Sequence, residues 1–278
     1  MGGRIGIIAG TGKFPLLVAR QLKKGAKEIF VLAVEPGADP RLARLAAVYR
    51  HIPAGSGAAI LDFLAANKLE EVILAGKVSP AWLMKPEEFD SLSRKFLAKL
   101  FRLTPSAVIE GFIDILRSQG IKVIDPTPFF EGYFCRPGLL TPHAPSRRVL
   151  SDVKLAFNLA CRLADLEIGQ VVAVKEGVVV AVEGLEGTDQ MIARAGELAG
   201  EGISVAKVGR SNQKMAVDVP AVGLETVRSL AAAKAACLGI EAGKVVFFDQ
   251  EEALALAREA GLAILASERE GAERLRHG

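Results

Sequence analysis

Cysteine, histidine and tryptophan are all scarce in this chain: 278 residues hold three, three and one of them. The cysteines, Cys135, Cys161 and Cys237, lie far apart with no CxxC or Cys/His ligand spacing, which argues against a disulfide framework and against a zinc cage. They read as reduced, buried thiols. The histidines, His51, His143 and His277, form no triad pattern with one another. A large excess of charge of one sign is missing too. A formal net charge of +3 and a pI near 8.7 fall short of the strongly basic face that nucleic acid requires, while anionic small molecules stay compatible. No apolar run reaches transmembrane length, and the first residues pass into Arg4-Ile5-Gly6-Ile7-Ile8 without a signal-peptide pattern. The expectation is a cytoplasmic, soluble protein, with peripheral contact from that side with the inner membrane left open.

Half of the residues are hydrophobic, enough for a large core, and the length suits two domains. Ile5 to Ala9 is a short apolar run followed by Gly10-Thr11-Gly12-Lys13-Phe14-Pro15 and the helical pattern Leu16, Leu17, Ala19, Leu22. Strand, Gly-rich turn and helix open a nucleotide-binding βαβ unit. The next strand, Glu28 to Val34, ends at Glu35, where a dinucleotide fold places its ribose-binding acid. Pro15 stands where the fingerprint has its third glycine, so two readings of the loop stay open: phosphate binding at Gly10 and Gly12, or a plain turn. Strands at Val48 to Ile52, Glu71 to Ala75 and Lys122 to Asp125 alternate with helices from Ser56 and Thr104, which predicts a mostly parallel, Rossmann-like sheet. Gly76-Lys77-Val78-Ser79-Pro80 places Lys77 at a strand's carboxyl end beside the Gly10 loop, where it can meet a phosphate. Ser93 to Arg102 alternates apolar and cationic residues at helical spacing. It suits a core helix, or one lying on an anionic membrane surface.

Five prolines between Asp125 and Pro145 break every period, so domains are predicted at 1–130 and 131–278 with a linker at about 126–145. Phe129, Phe130, Tyr133 and Phe134 make that linker aromatic, which suggests packing along a cleft. Ser146 is an N-cap for a helix to about Asp165. The apolar runs Val171 to Val174 and Val178 to Val182, joined by Lys175-Glu176-Gly177, form a hairpin. A run this apolar should be buried, yet it delivers Glu183, Glu186 and Asp189 in quick succession. Thr188 begins a helix to Ala199. Strands follow at Ile203 to Val208 and Lys214 to Val217, then a helix from Glu225 to near Gly239 and a strand at Lys244 to Phe248. A helix and a short strand finish the chain. Tight turns between adjacent strands predict a mixed sheet, so both halves are α/β.

Two readings compete for the acids. Thr188 and Asp189 suit the cap and the dipole of their helix, and the same N-terminus is a seat for phosphate. Asp218, in Val217-Asp218-Val219-Pro220, is the sharper case, because a carboxylate among apolar neighbours must be paired, metal-bound or shifted in pKa.

Taken together, Ile168-Gly169-Gln170, Glu186-Gly187-Thr188-Asp189, Asp218-Val219-Pro220, the N-terminal Ile8 to Pro15 stretch and Gly76-Lys77-Val78 resemble the LpxI family in the same order along nearly the whole chain. The resemblance implies two domains with the lipid product held between them. It also implies magnesium-dependent hydrolysis of UDP-2,3-diacylglucosamine to UMP and 2,3-diacylglucosamine 1-phosphate (lipid X), a step of lipid A biosynthesis. The family's essential aspartate falls on Asp218 and its Glu-Gly-Thr-Asp on Glu186 to Asp189, so the resemblance implies Asp218, Asp189 and Glu186 as catalytic acids and Asp218 and Asp189 as metal ligands. Substrate binding falls to Gly10, Gly12, Lys77, Gln170, Thr188, Lys207 and Gln213, and the cofactor is Mg²⁺. Ahead of Asp218 the family pattern Gln-Asp-x-Arg-x-Asp meets Gln213-Lys214-Met215-Ala216-Val217-Asp218, so an acid and an arginine are missing. Lys214, Lys207 or Arg210 would supply charge in place of that arginine, without its bidentate geometry. The expected partner is the acylated UDP-sugar, with a homo-oligomer left open. A non-catalytic lipid or nucleotide binder and an NAD-linked oxidoreductase are the alternative functions.

Overall fold

A computed structural model describes residues 3–78, 83, 85–215 and 218–269. The chain divides into two compact units, Met1–Glu131 with Lys214–Val219, and Gly132–Gln213 with Pro220–Gly278. The segment that carries Asp218 thus leaves the second unit and belongs to the first.

In the first unit, β1 (Arg4–Ala9), β2 (Glu28–Ala33), β3 (Val48–His51), β4 (Glu71–Ala75) and β5 (Lys122–Val123) pair in parallel in the order β3-β2-β1-β4-β5. After their first residue β1 and β2 are buried throughout, because helices cover both faces and a parallel sheet has no wet side. The helices are α1 (Phe14–Lys24), α2 (Leu42–Leu45), α3 (Gly57–Ala66), α4 (Ser91–Leu97) and α5 (Pro105–Ser118). The order reverses between β1 and β4, and the crevice beyond their carboxyl ends is where open α/β sheets bind ligands. The helix expected over Ser93 to Arg102 stops at Leu97. Ser79 and Pro80 lie outside the described residues.

The second unit is a mixed six-stranded sheet. It contains β6 (Gly138–Leu139), β7 (Val171–Lys175), β8 (Val178–Val182), β9 (Ser204–Lys207), β11 (Cys237–Glu241) and β13 (Ala263–Ser267), in the order β6-β13-β11-β9-β7-β8. A parallel pair, β10 (Ala221–Val222) with β12 (Val246–Phe247), lies beside it in the chain's order. Helix α6 (Arg147–Asp165), capped by the Ser146 hydroxyl 3.3 Å from Val149 N, packs on Val172, Val174 and Ala206. Val171, Ala173 and Val205 point the other way, towards α7 (Thr188–Ala199), α8 (Leu224–Ala232) and α9 (Gln250–Glu259). The two-residue side-chain period of a strand produces this three-layer sandwich. No helix among the described residues is long and apolar enough to cross a membrane.

Three further expectations fail. Helix α8 ends at Ala232 rather than near Gly239, since Lys234 turns to φ 48° and Cys237–Glu241 becomes a fully buried inner strand. The hairpin is not buried throughout: β8 is the outer strand, and Val178 and Val179 are 65% and 43% exposed. Lys214 and Met215 are not in a strand; the backbone N–H of Asp218 donates to the Lys214 carbonyl at 3.1 Å, and Ala216 and Val217 lie outside the described residues. Two of the linker aromatics pack within their own units. Phe130 is fully buried edge-on to Phe14, and Tyr133 packs on Phe248.

Candidate active site

The first unit gathers Gly10, Gly12 and Lys77 at the point where the strand order reverses. Past the ends of β1 and β4, Thr11 N donates to Lys77 O at 2.8 Å and Lys77 N to Thr11 O at 3.0 Å, while Gly10 N donates to Ala75 O at 2.8 Å. A Cβ at position 10 would sit 2.3 Å from the Lys77 carbonyl, so Gly10 is required by the close approach of two main chains. Its amide is already committed within the sheet. Gly12 differs: its φ is +91°, and nothing lies within 4 Å of where a Cβ would be. The turn therefore offers a ligand open backbone at Gly12 beside the exposed Lys77.

The second unit gathers Gln170, Thr188 and Lys207, and the residue that joins them is Glu183. Its carboxylate accepts from Gln170 N at 2.9 Å and from the Thr188 hydroxyl at 2.7 Å, and the same hydroxyl accepts from the Lys207 ammonium at 2.8 Å. The pairing of β8, β7 and β9 brings these residues to one end of the sheet, since Val172 faces Val182 and Val171 faces Lys207. Gly169 is forced by the same geometry, because a Cβ there would stand 2.0 Å from the Glu183 carbonyl.

The other two acids of the hairpin's end have different settings. Glu186 pairs with Arg194 at 2.5 Å and accepts from Gly184 N at 3.1 Å; the Arg194 hydrogen bond holds its carboxyl below the usual range. Asp189 is exposed in the first turn of α7, where it complements the positive end of the helix. Among the described residues no three His, Cys, Asp or Glu side chains converge as a metal cage.

The turn that leads to Asp218 is held by a charged cluster that the sequence reading missed. Glu241 is 2% exposed and sits at the end of β11; it accepts from Gly209 N at 2.8 Å and from Arg269 Nε at 3.1 Å. Arg269 also donates to Gly209 O and Ser211 Oγ, each at 2.5 Å, and to Asp165 at 3.0 Å. Burial would raise the Asp165 pKa, but hydrogen bonds from Ser211 and Arg269 outweigh it and hold that carboxyl below its usual value. Lys244 donates to the carbonyls of Arg210 and Ser211. Gln213 closes the turn: its side-chain oxygen accepts from Arg210 N at 3.0 Å.

Asp218 itself is half-buried in the first unit. The three cations considered as stand-ins for the missing arginine all have partners: Lys214 with Glu110 at 2.7 Å, Arg210 with Glu167 at 3.0 Å, and Lys207 with Thr188.

Comparison with known proteins gives one family for both units. The LpxI N-terminal domain matches residues 4–133 and the LpxI C-terminal domain residues 136–265. A UDP-2,3-diacylglucosamine pyrophosphatase LpxI from Caulobacter vibrioides is 29% identical over 276 residues, covering 94% of this chain and 96% of that protein. Among solved structures, a biotin carboxylase-βγ-ATP complex from Campylobacter jejuni is 13% identical, over 70% of this chain and 42% of its own length. Its TM-score of 0.29 carries no argument.

Proposed function

The chain belongs to the LpxI family, and from that premise we propose that it hydrolyses the diphosphate bond of UDP-2,3-diacylglucosamine to UMP and lipid X in lipid A biosynthesis. The observation that carries this reading is the match of nearly the full length to a pyrophosphatase of that specificity.

The residues suit the chemistry. Hydrolysis of a diphosphate joins a water oxygen to one phosphorus and releases the other phosphate, so the site must hold several negative charges and orient one water. Lys77 and the open backbone at Gly12 lie where an α/β sheet receives phosphate. Asp218 is assigned to the water, whose proton its carboxylate can accept. Mg²⁺ characteristically takes one or two protein carboxylates and completes its shell with water and substrate phosphate oxygens, so Asp218 fits as a single donor although no protein cage is present among the described residues. When bound, the ion would neutralise charge on the phosphoryl oxygens.

The test is thin-layer detection of UMP from the acylated UDP-sugar, with and without Mg²⁺. Release of UMP is expected, and Asp218→Ala should lower it by about 10²-fold or more with an unchanged thermal melt. Substrate binding with no UMP release under either condition would favour a non-catalytic binder, and nicotinamide binding would favour an oxidoreductase. Near-normal turnover in Asp218→Ala would remove that residue from the mechanism.

A further inference from the structure

The stretch Ser91 to Leu103 presents two faces with different tasks. Asp90 caps α4 by accepting from Ser93 N at 2.7 Å. The helix then buries Ser93 and Leu97 and lays Phe96 and, beyond its end, Leu100 into a cluster with Leu83, Phe89 and Val108. Gly111 of α5 makes this fit, because a Cβ there would stand 2.8 Å from the Phe96 ring. The inward face is therefore already covered by core. Two backbone bonds, Lys99 N to Phe96 O and Leu100 N to Leu97 O, end the helix with a tight turn. Beyond that turn Phe101 stands 97% exposed, and Leu103 is 46% exposed.

An apolar ring this bare is unusual on a protein surface, and its setting is equally one-sided. Arg94, Lys95, Lys99 and Arg102 are all exposed, and none is ion-paired with another described residue. No acid occurs between Asp90 and Glu110. Four exposed cations in the same short stretch as a projecting aromatic and a leucine match a surface with negative charge outside and hydrocarbon beneath.

We propose that this face docks on an anionic phospholipid bilayer, with Phe101 and Leu103 entering the interface and the four cations contacting lipid phosphates. The charge pattern selects this occupant over a second copy of the chain, which would bring the same four cations against themselves. The inference does not rest on the proposed hydrolysis, since binding is measured without substrate.

Sedimentation with vesicles tests it. The full-length protein is expected to co-sediment with vesicles of phosphatidylglycerol and phosphatidylethanolamine, to be released by salt, and to ignore phosphatidylcholine alone. Phe101→Ser should weaken the partition about tenfold, as expected for a phenyl ring that enters the apolar layer. Each cation changed to Gln should weaken it about fivefold. Circular dichroism and thermal melts should be unchanged, because Phe101 touches no core. Equal binding to neutral and anionic vesicles, no binding to either, or full binding by Phe101→Ser would overturn the proposal. Lipid-free self-association abolished by Phe101→Ser in light scattering would also overturn it, and would assign the face to a dimer.

Discussion

Replacing Arg269 by Ala takes one guanidinium from Glu241, Asp165, Gly209 and Ser211 together, and the magnitude can be worked from what stays behind. Glu241 has a side chain only 2% exposed and would retain one donor, Gly209 N at 2.8 Å. Stranding a buried charge costs about 3–5 kcal/mol. Arg269 is 26% exposed, so water can enter the space it leaves, and the lower end, about 3 kcal/mol, applies. For a unit of this size that is a fall of roughly 6–12 °C in melting temperature. Arg269→Lys keeps charge but not the planar fork and should fall in between. The double variant Arg269→Ala/Glu241→Gln should regain about 1–2 kcal/mol relative to Arg269→Ala, because the stranded charge is gone. Calorimetry of the four proteins measures this, and trypsin supplies a second readout. The turn that Arg269 pins contains Arg210 and leads to Lys214, so cleavage there should accelerate in Arg269→Ala. A melt within about 2 °C of the parent, or a double variant no better than the single, would refute the idea that Arg269 matters by neutralising Glu241.

Lowering pH tests the Asp165 contact in the same cluster. Its carboxyl is held below the ordinary value of 3.8, so its stabilisation is complete above that value and is lost as pH falls through the lower folded one. The parent should therefore lose more stability below about pH 4 than Asp165→Asn does; parallel melting curves would dismiss the contact. Gly169→Ala drives a Cβ to 2.0 Å from the Glu183 carbonyl and should cost about 1–3 kcal/mol. Gly132→Ala, with nothing within 4 Å, is the neutral control, and equal melts for the two would reject the packing account. Burial lifts the Cys161 thiol to about 11 and Cys237 to about 12, so both should resist alkylation at neutral pH until the protein is unfolded. Rapid labelling of native protein, located by peptide mapping, would contradict that burial.

The alternation of the first half was legible because buried parallel strands are short, continuous apolar runs bounded by glycine. The same rule misread two places in the second half. Ala231 to Ala236 suits a helix by propensity, yet the tertiary need for an inner strand at Cys237–Glu241 overrides it. The valines of β8 are no different in sequence from those of β7, and only sheet order decides which strand lies at the edge. Within the site, Gln170, Thr188 and Lys207 are legible from the sequence, but nothing local distinguishes their common partner Glu183 from Glu186. The reason is distance along the chain: Glu183 acquires its role from Gln170, 13 residues away. Glu241 and Arg269 meet across 28 residues. A carboxylate closing an apolar run is a usable signal at Glu241, but the helix propensity of Ala231 to Ala236 hides the strand that it ends.

The departure ahead of Asp218 can now be separated into two changes with different consequences. At the position where the resemblance implies an acid, Lys214 faces Glu110, and both side chains are well exposed, so the pair contributes at most about 1 kcal/mol. That change is a local exchange of charge with its own counter-charge. The missing arginine is not replaced in kind, because Lys207 and Arg210 are engaged with Thr188 and Glu167, and a lysine cannot reproduce a bidentate clamp. Within Lys214–Val219 the sequence carries one carboxylate, Asp218. On the proposed reaction, absence of that arginine would weaken substrate binding, while the orientation of the water would stay with Asp218.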